Sequence, residues 1–149
     1  MDWTLDLHVA VPHWHPRGAD PAFTLAFSSR RGGTSPAPRD SLDLGSSICP
    51  LPRDVLENRR RLLRSLRLDP NLLVTAGQVH GPVLRQVSCP GHVPGCDALL
   101  TTTPGLALAV ATADCMALLY RAPGVVAAAH AGWRGAAAEI GRASCRERV

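Results

Sequence analysis

The stretch Val125–Gly135, VVAAAHAGWRG, decides the fold because an apolar run ends there in a histidine and a tight turn. The five apolar residues before His130 predict a buried strand. The Gly-Trp-Arg-Gly sequence that follows predicts a turn into a helix that begins with the next alanines. His130 therefore stands at the end of a strand, where a rigid element meets a loop.

Two other segments repeat this arrangement. His80 lies in Gly77–Gly81, GQVHG, and Cys115 ends Ala111–Cys115, ATADC, and each follows a predicted apolar strand. Strand ends hold side chains rigidly while the adjacent loops leave room for a substrate. Two imidazoles and one thiolate are ligands that zinc or copper binds, with a fourth position open. The same three residues would also suit a cysteine nucleophile with a histidine base, or a structural role in the core.

Neighbouring polar residues have two interpretations each. Asp114, beside Cys115, and Asp97, before a strand, could each orient a ligand histidine through its second nitrogen or simply close a turn. Trp133 and Arg134 could stack on a planar ligand and bind an anion. Equally, Trp133 could pack in the fold and Arg134 could pair with a carboxylate.

The clearest helix is predicted over Arg53–Arg67, with acidic residues in its first turns and arginines in its last turns. At about 100° per residue, Arg59 falls inside the apolar stripe, between Val55 and Leu62. A guanidinium in that position needs an anion or a carbonyl as a partner. A structural ion pair and an anion-binding role are both open. The predicted strands are Phe23–Phe27, Leu72–Val79, Val83–Val87, Ala98–Thr103, Leu106–Thr112, Met116–Arg121 and Val125–His130.

Two further groups of histidines and cysteines have metal-like spacing, but we expect neither to bind a metal. The segment Cys89–Cys96, CPGHVPGC, predicts a turn-rich loop without a fourth ligand or a stiff scaffold. The first 20 residues are broken by prolines and predict an exposed terminal segment. The residues concerned are Cys89, His92, Cys96, His8, His13 and His15.

Composition limits the class of protein. A chain of 149 residues with 46% hydrophobic residues suits one domain with a real core. The net charge is +4 and every basic side chain is arginine, without interleaved aromatics, so we expect no nucleic-acid partner. The longest apolar stretch is too short to cross a bilayer, and the N-terminus is unlike a signal peptide, so no membrane partner is expected. Five cysteines without a CxxC pair favour a reducing compartment, hence a cytoplasmic protein.

Six segments, in order and sensibly spaced, resemble the laccase-domain family, also called multicopper polyphenol oxidase-like proteins. Bacterial members are known as peptidoglycan editing factors. The segments are SLDLGS (41–46), ENRRRL (57–62), GQVHG (77–81), DALLTTTPG (97–105), TADC (112–115) and VVAAAHAGWRG (125–135). The resemblance implies an α+β fold, a mixed β-sheet sandwich flanked by helices. It also implies that His80, Cys115 and His130 bind zinc. The resemblance further implies that Arg59 is a catalytic residue that binds phosphate or ribose.

The resemblance further implies a zinc-dependent purine nucleoside phosphorylase acting on adenosine, inosine and methylthioadenosine, with adenosine deaminase activity. Its partners would be a purine nucleoside and phosphate, and the oligomeric state is open. Editing of peptidoglycan precursors is a second family role. Two alternatives remain: a copper-dependent polyphenol oxidoreductase, since two histidines and a cysteine also suit Cu2+, and an inactive truncated metal-binding fragment.

This chain departs from the family pattern at two places. Asp43 stands where the family usually has asparagine, which adds a negative charge near an expected anion site. Family members also continue beyond residue 149, and Ala143–Val149, ASCRERV, does not resemble the expected continuation. We therefore expect residues 1–149 to be the N-terminal portion of a single laccase-type domain with an unmatched tail.

Overall fold

The computed structural model describes residues 2–18, 20–45 and 52–140, and it has the predicted α+β fold, with several sheets and few helices. The unmatched tail predicted at residues 143–149 lies outside the described residues. The chain forms two compact units, Met1–Pro70 and Asn71–Val149. The assignment of a single domain stays a prediction.

Unit 1 contains an antiparallel three-stranded sheet of β1 (Trp3–Asp6), β2 (His13–Pro16) and β3 (Phe27–Ser28), in that order. Trp3 packs against Phe27 with ring centroids 5.1 Å apart. The strand predicted over Phe23–Phe27 is much shorter in the structure, because only Phe27 and Ser28 pair with β2.

The prediction of an exposed terminal segment is wrong for β1 and β2. His13 is buried, and its Nδ1 lies 2.9 Å from the backbone oxygen of Val11, which is itself fully buried. His15 is on the same face, with its ring centroid 6.0 Å from that of His13. Among the described residues no third metal-ligating side chain joins these two histidines.

Helix α1 (Arg53–Ser65) ends two residues before the predicted end. Arg67 is in the left-handed region, with φ 59°, and its N–H donates to the Arg64 oxygen. The N–H of Leu68 donates to the Leu63 oxygen at 2.8 Å. These two bonds are a Schellman motif, which satisfies the last carbonyl groups and turns the chain away from the helix.

The described part of unit 2 contains two sheets and a short helix. Its elements, after a 3-10 turn at Pro70–Leu72, are β4 (Leu73–Ala76), β5 (Leu84–Gln86), β6 (Gly91–Val93), β7 (Ala98–Thr101), β8 (Ala107–Ala109), β9 (Met116–Ala122), β10 (Val125–Ala131) and α2 (Trp133–Ala137). The mixed sheet has the strand order β5-β7-β10-β9, and the parallel sheet has the order β6-β4-β8.

The sandwich predicted for the fold is built around β7, whose four residues are all buried. Leu99 packs with Val74 and Ala76 of the parallel sheet. Its neighbours Ala98 and Leu100 face the opposite side and pack with alanines of β10. Alternate residues of one strand thus supply two separate cores, as the two-residue period of a strand requires.

The strands differ from the predicted ones mainly at their ends. The strand predicted to reach Val79 stops at Ala76, because Gln78 takes a left-handed φ of 53° and its N–H donates to the oxygen of Cys96, beyond β6. The segment Cys89–Cys96, which was predicted as a loop, contains β6, and β6 pairs in parallel with β4. Within the described residues, no helix is both long enough and apolar enough to cross a membrane.

Candidate metal centre

The pairing of β9 with β10 brings Cys115 towards His130. The register places Ala131 opposite Met116, and Cys115 directly precedes Met116. His130 is 3% exposed and lies one residue before the end of β10. The hairpin of β9 and β10 thus brings two of the three predicted ligands to the same end of the sheet.

The structure brings His80 to the same place. One ligand atom from each of His80, Cys115 and His130 lies within 4.8 Å of the other two. The two imidazole rings meet edge to face, with centroids 4.8 Å apart. Within the described residues this is the one cluster of three side chains that could hold a metal ion.

Gly132 leaves the space between these side chains open. A Cβ atom at this position would lie 3.1 Å from Cδ2 of His80 and 3.2 Å from Sγ of Cys115. It would also lie 3.7 Å from Cε1 of His130. The backbone of Gly132 has φ −68°, which any residue adopts, so the requirement for glycine here is one of space.

Asp97 connects the two histidines. Its buried carboxylate lies 2.9 Å from Nδ1 of His130 and accepts backbone N–H bonds from Val79, His80 and Gly81, at 2.8 to 3.1 Å. Burial alone would raise the pKa of Asp97, but the hydrogen bonds from His130 and the backbone outweigh it, so the pKa is lowered. A carboxylate accepts only, so Nδ1 of His130 is the donor in this contact, and in the neutral imidazole Nε2 is the atom with a free lone pair.

The sequence left open whether Asp97 or Asp114 orients a ligand, and the two aspartates differ in the structure. Asp97 holds His130, whereas exposed Asp114 accepts a weak bond from the thiol of Cys115, with Sγ and Oδ1 3.6 Å apart. Burial raises the pKa of the Cys115 thiol, and the charge of Asp114 and this bond raise it further. A thiol in that environment is a poor nucleophile unless a cation favours the thiolate.

Gln78 connects two of the ligand-bearing loops. Its amide donates to the oxygen of Ala111 at 2.6 Å and accepts from the N–H of Ala111 at 2.8 Å. Ala111 begins the loop that ends at Cys115. Gln78, with φ 53°, and His80, with φ 62°, both occupy the left-handed region. The loop that carries His80 is therefore held in a costly backbone conformation by side-chain bonds at both ends.

Trp133 and Arg134 lie directly after Gly132. The indole of Trp133 is 75% exposed, and the guanidinium carbon of Arg134 lies 5.2 Å from the ring centroid. That distance is a cation–π contact. Of the two interpretations of Trp133, packing in the fold does not agree with this exposure, and Trp133 and Arg134 form an exposed pair.

Arg59, the predicted anion-binding residue, and Asp43 lie in unit 1, whereas the three predicted metal ligands lie in unit 2. Arg59 is half-buried, as the helical wheel indicated, and its Nε donates to the oxygen of Leu44 at 2.8 Å. Burial lowers the pKa of Arg59, and the charge of Asp43 opposes that shift. Asp43 itself pairs with Arg39 at 3.2 Å.

Sequence reasoning missed Asn58, which is fully buried. Its Oδ1 accepts two bonds from Thr34, and its Nδ2 donates to Ser35 Oγ and to the oxygens of Ser41 and Asp43. The signal available was its position at the border of the apolar stripe of α1, next to Arg59. Its partners lie 15 to 24 residues away, so local pattern could not identify its role.

The second group with metal-like spacing, Cys89, His92 and Cys96, is spread between buried and exposed positions. Cys96 is buried and Cys89 is exposed. His92 has its Nδ1 3.1 Å from Oγ1 of Thr75. Burial raises the pKa of the Cys96 thiol. These residues therefore do not form a ligand cluster within the described chain.

Comparison with known proteins identifies relatives of this chain. A family model described as "Multi-copper polyphenol oxidoreductase laccase" matches residues 24–148. The chain is 40% identical over 144 residues to a purine nucleoside phosphorylase of Deinococcus radiodurans, which covers 95% of this chain and 51% of that protein. It is 43% identical over 134 residues to the purine nucleoside phosphorylase YfiH of Escherichia coli, which covers 87% and 53% of the two proteins.

A solved structure has the same fold. The crystal structure of YlmD from Geobacillus stearothermophilus superposes with a TM-score of 0.82 and 33% sequence identity. The match covers 93% of this chain and 55% of the YlmD chain. The chain spans about half the length of the curated relatives it matches.

Proposed function

This chain belongs to the multi-copper polyphenol oxidoreductase laccase family, and we propose that it carries the metal site of a zinc-dependent purine nucleoside phosphorylase. The convergence of His80, Cys115 and His130 around Gly132 is the observation that carries the proposal. The names of the relatives supply the substrate class. The chain is about half as long as those relatives, so the activity is proposed for the whole protein.

The donor set suits zinc. Tetrahedral zinc has bonds of about 2.0–2.3 Å, which separate neighbouring ligand atoms by roughly 3.4–3.6 Å. The ligand atoms here lie within 4.8 Å of one another. Side-chain rotations that move these atoms by about 1 Å would therefore complete the coordination. Three protein ligands leave a fourth position, as in catalytic zinc sites. When bound, zinc supplies a Lewis acid that polarises an oxygen or a leaving group.

The protein residues would each make a distinct contribution. Asp97 keeps the Nδ1 proton of His130 in place, so that Nε2 is the ligand atom. Gln78 fixes the loop of His80 against the loop of Cys115. We assign Arg59 to phosphate or ribose binding because, within the described residues, its guanidinium is hydrogen-bonded through Nε, which leaves its two Nη nitrogens for an anion.

In the proposed reaction a phosphate oxygen forms a bond to C1′ of the nucleoside as the glycosidic bond breaks. The departing base takes the electron pair of that bond and then a proton. The family resemblance adds adenosine, inosine and methylthioadenosine as substrates and adenosine deamination as a second reaction. It also adds peptidoglycan precursor editing as a cellular role.

Metal analysis together with a nucleoside assay tests the proposal. Zinc-loaded protein should release free base from inosine or adenosine only when phosphate is present. Cys115→Ser should lower both the zinc content and the rate, whereas the exposed histidine variant His8→Ala should keep both. Zinc-loaded protein that neither releases base nor deaminates adenosine would refute the proposal.

Copper is the second candidate, because two histidines and one cysteine are also the ligands of blue-copper sites, and the family description names multi-copper oxidoreductases. The described residues supply ligands for one ion. Titration with Cu2+ should separate the two candidates. A strong visible thiolate-to-copper absorption with oxidation of a phenol would favour the oxidoreductase, and phosphorolysis with zinc alone would favour the phosphorylase.

A further inference from the structure

The carboxylate of Asp97 uses both of its oxygens, and each oxygen holds two donors. Oδ1 lies 2.9 Å from Nδ1 of His130 and accepts the N–H of His80 at 2.8 Å. Oδ2 accepts the N–H of Val79 at 3.1 Å and the N–H of Gly81 at 2.9 Å. The side chain is fully buried. A carboxylate has about four acceptor positions, so all of them are occupied within one network.

The three backbone donors are consecutive, and their arrangement depends on two left-handed residues. Gln78 and His80 have φ of 53° and 62°, and Val79 lies between them. Alternating backbone conformations of this kind turn successive N–H groups towards one point and create an anion-binding concavity. Here the anion is part of the same chain. The loop of His80 is shaped around the carboxylate of Asp97.

We propose that Asp97 is a positioning residue for both histidine arms of the metal site, so that it fixes the tautomer of His130 and the backbone of His80 before an ion binds. The inference rests on the metal site of the proposed function. A single contact to His130 would orient one ligand. The three bonds to the loop of His80 extend the same control to a second ligand, 50 residues earlier in the chain.

The tautomer of His130 in the metal-free protein is the first test. In a nitrogen-detected NMR spectrum at a pH where imidazoles are neutral, His130 should carry its proton on Nδ1. Asp97→Asn should allow a mixture of the two His130 tautomers, because an asparagine amide can also donate a hydrogen bond to Nδ1. A His130 that is protonated on Nε2 in the unchanged protein would overturn the proposal. This measurement needs neither metal nor nucleoside, so it is independent of the enzymatic activity.

Titration with Co2+ in single and double variants tests the second arm. Asp97→Asn should weaken Co2+ binding about 10- to 100-fold, the usual effect of losing a partner of a ligand histidine. In the His130→Ala background, Asp97→Asn should weaken binding further, because the loop of His80 still depends on the carboxylate. In the His80→Ala background, Asp97→Asn should also weaken Co2+ binding, because it removes the partner of His130. No effect in the His130→Ala background would show that Asp97 acts through His130 alone.

Chemical rescue provides a readout that a general loss of folding would not produce. Asp97→Ala leaves a buried space beside three N–H donors, and added formate should restore part of the Co2+ affinity by replacing the carboxylate. Asp40→Asn, an exposed aspartate in unit 1, is the matched control and should leave Co2+ binding unchanged. Failure of formate to restore binding in a folded Asp97→Ala protein would contradict the role of the carboxylate as an anion in the loop.

Discussion

Asp97 and Asn58 are both fully buried polar side chains that hold loops in place, one in each unit, but they use opposite chemistry. Asp97 is an acceptor only, and one of its donors is the imidazole of His130. Asn58 accepts from Thr34 and donates to Ser35 and to backbone oxygens. An amide can satisfy a loop that offers mixed donors and acceptors. A carboxylate needs donors on every side, and here one of them is a predicted metal ligand, His130.

The largest effect is expected from Asn58→Asp, which changes one atom of the amide network. The new oxygen would face the backbone oxygens of Ser41 and Asp43 in place of a donor. We expect the free energy of unfolding to fall by about 3 kcal/mol, because buried acceptors lose their partner and a charge is buried. Denaturant unfolding measures this change.

The control for Asn58→Asp is Gln86→Glu, the same amide-to-acid change at an exposed position of β5. It should change the unfolding free energy by less than about 0.5 kcal/mol. If Asn58→Asp is equally mild, the amide network of unit 1 is not selective for an amide, and the contrast with Asp97 disappears.

The next effect is expected from Gly132→Ala in the metal centre. A methyl group 3.1 to 3.2 Å from atoms of His80 and Cys115 must push at least one of these side chains aside by a few tenths of an ångström and fill space that a bound ion needs. We expect zinc affinity to fall about 10- to 100-fold, or roughly 1.4–2.7 kcal/mol, while the fold stays intact. Competition with a chelator measures the affinity.

Gly81→Ala is the control for Gly132→Ala, because its Cβ would make only ordinary contacts, at 3.8 Å, and its φ is not left-handed. It should leave zinc affinity within about twofold, a difference of less than 0.5 kcal/mol. Equal losses in the two variants would show that general loop packing, rather than the open space at Gly132, governs binding.

A smaller effect is expected from Gln78→Ala, which removes the paired bonds to Ala111. The loss should be about 1–2 kcal/mol of unfolding free energy, because these bonds are partly exposed. Gln78→Gly should lose less than Gln78→Ala, since glycine adopts φ 53° without strain. Thermal unfolding of both variants measures the difference. A greater loss of stability in Gln78→Gly than in Gln78→Ala would exclude backbone strain at this position.

The smallest effect concerns Asp54 in the region of Asn58. A hydrogen bond from Ser35 is the largest cause that lowers the pKa of Asp54. A carboxyl group with a lowered folded pKa stabilises the protein above its unfolded pKa, about 3.9. That contribution is lost as the pH falls through the folded pKa. Asp54→Asn should therefore lower the unfolding free energy slightly at neutral pH, and the difference should shrink on acidification.

Denaturant unfolding at neutral pH and at about pH 3 measures the Asp54 effect. Asp40→Asn, at an exposed ion pair whose atoms are 3.9 Å apart, is the control and should show little change at either pH. A difference for Asp54→Asn that stays constant with pH would mean that its charge has no part in the stability.

The succession of strands along unit 2 and the clustering of His80, Cys115 and His130 could be predicted from the sequence because both depend on local pattern. Apolar runs interrupted by Pro-Gly turns define β7 to β10, and each ligand follows such a run. The ends of the strands could not be predicted. The strand before His80 stops at Ala76 because Gln78 turns into the left-handed region and its N–H bonds to the oxygen of residue 96, which only the folded chain brings near.

The polar residues that support the site were harder to assign for the same physical reason. Asp97 was one of two aspartates with the same local setting, and its choice over Asp114 depends on the pairing of β7 with β10, where Ala98 lies opposite Ala129. Asn58 resembled an ordinary helical residue, since its partners come from a loop that has no regular structure. Arg59 was placed by helical periodicity, which is a local property of α1.

Trp133 provides a fluorescent probe beside the candidate metal centre. It is the single tryptophan in the sequence after residue 14, so unit 2 contains no other indole. It follows Gly132 directly, and Arg134 lies against its ring. Replacing Trp3 and Trp14 by phenylalanine would leave an emission that arises from this position alone. Quenching by a paramagnetic ion then reports occupancy of the site in real time, without any substrate.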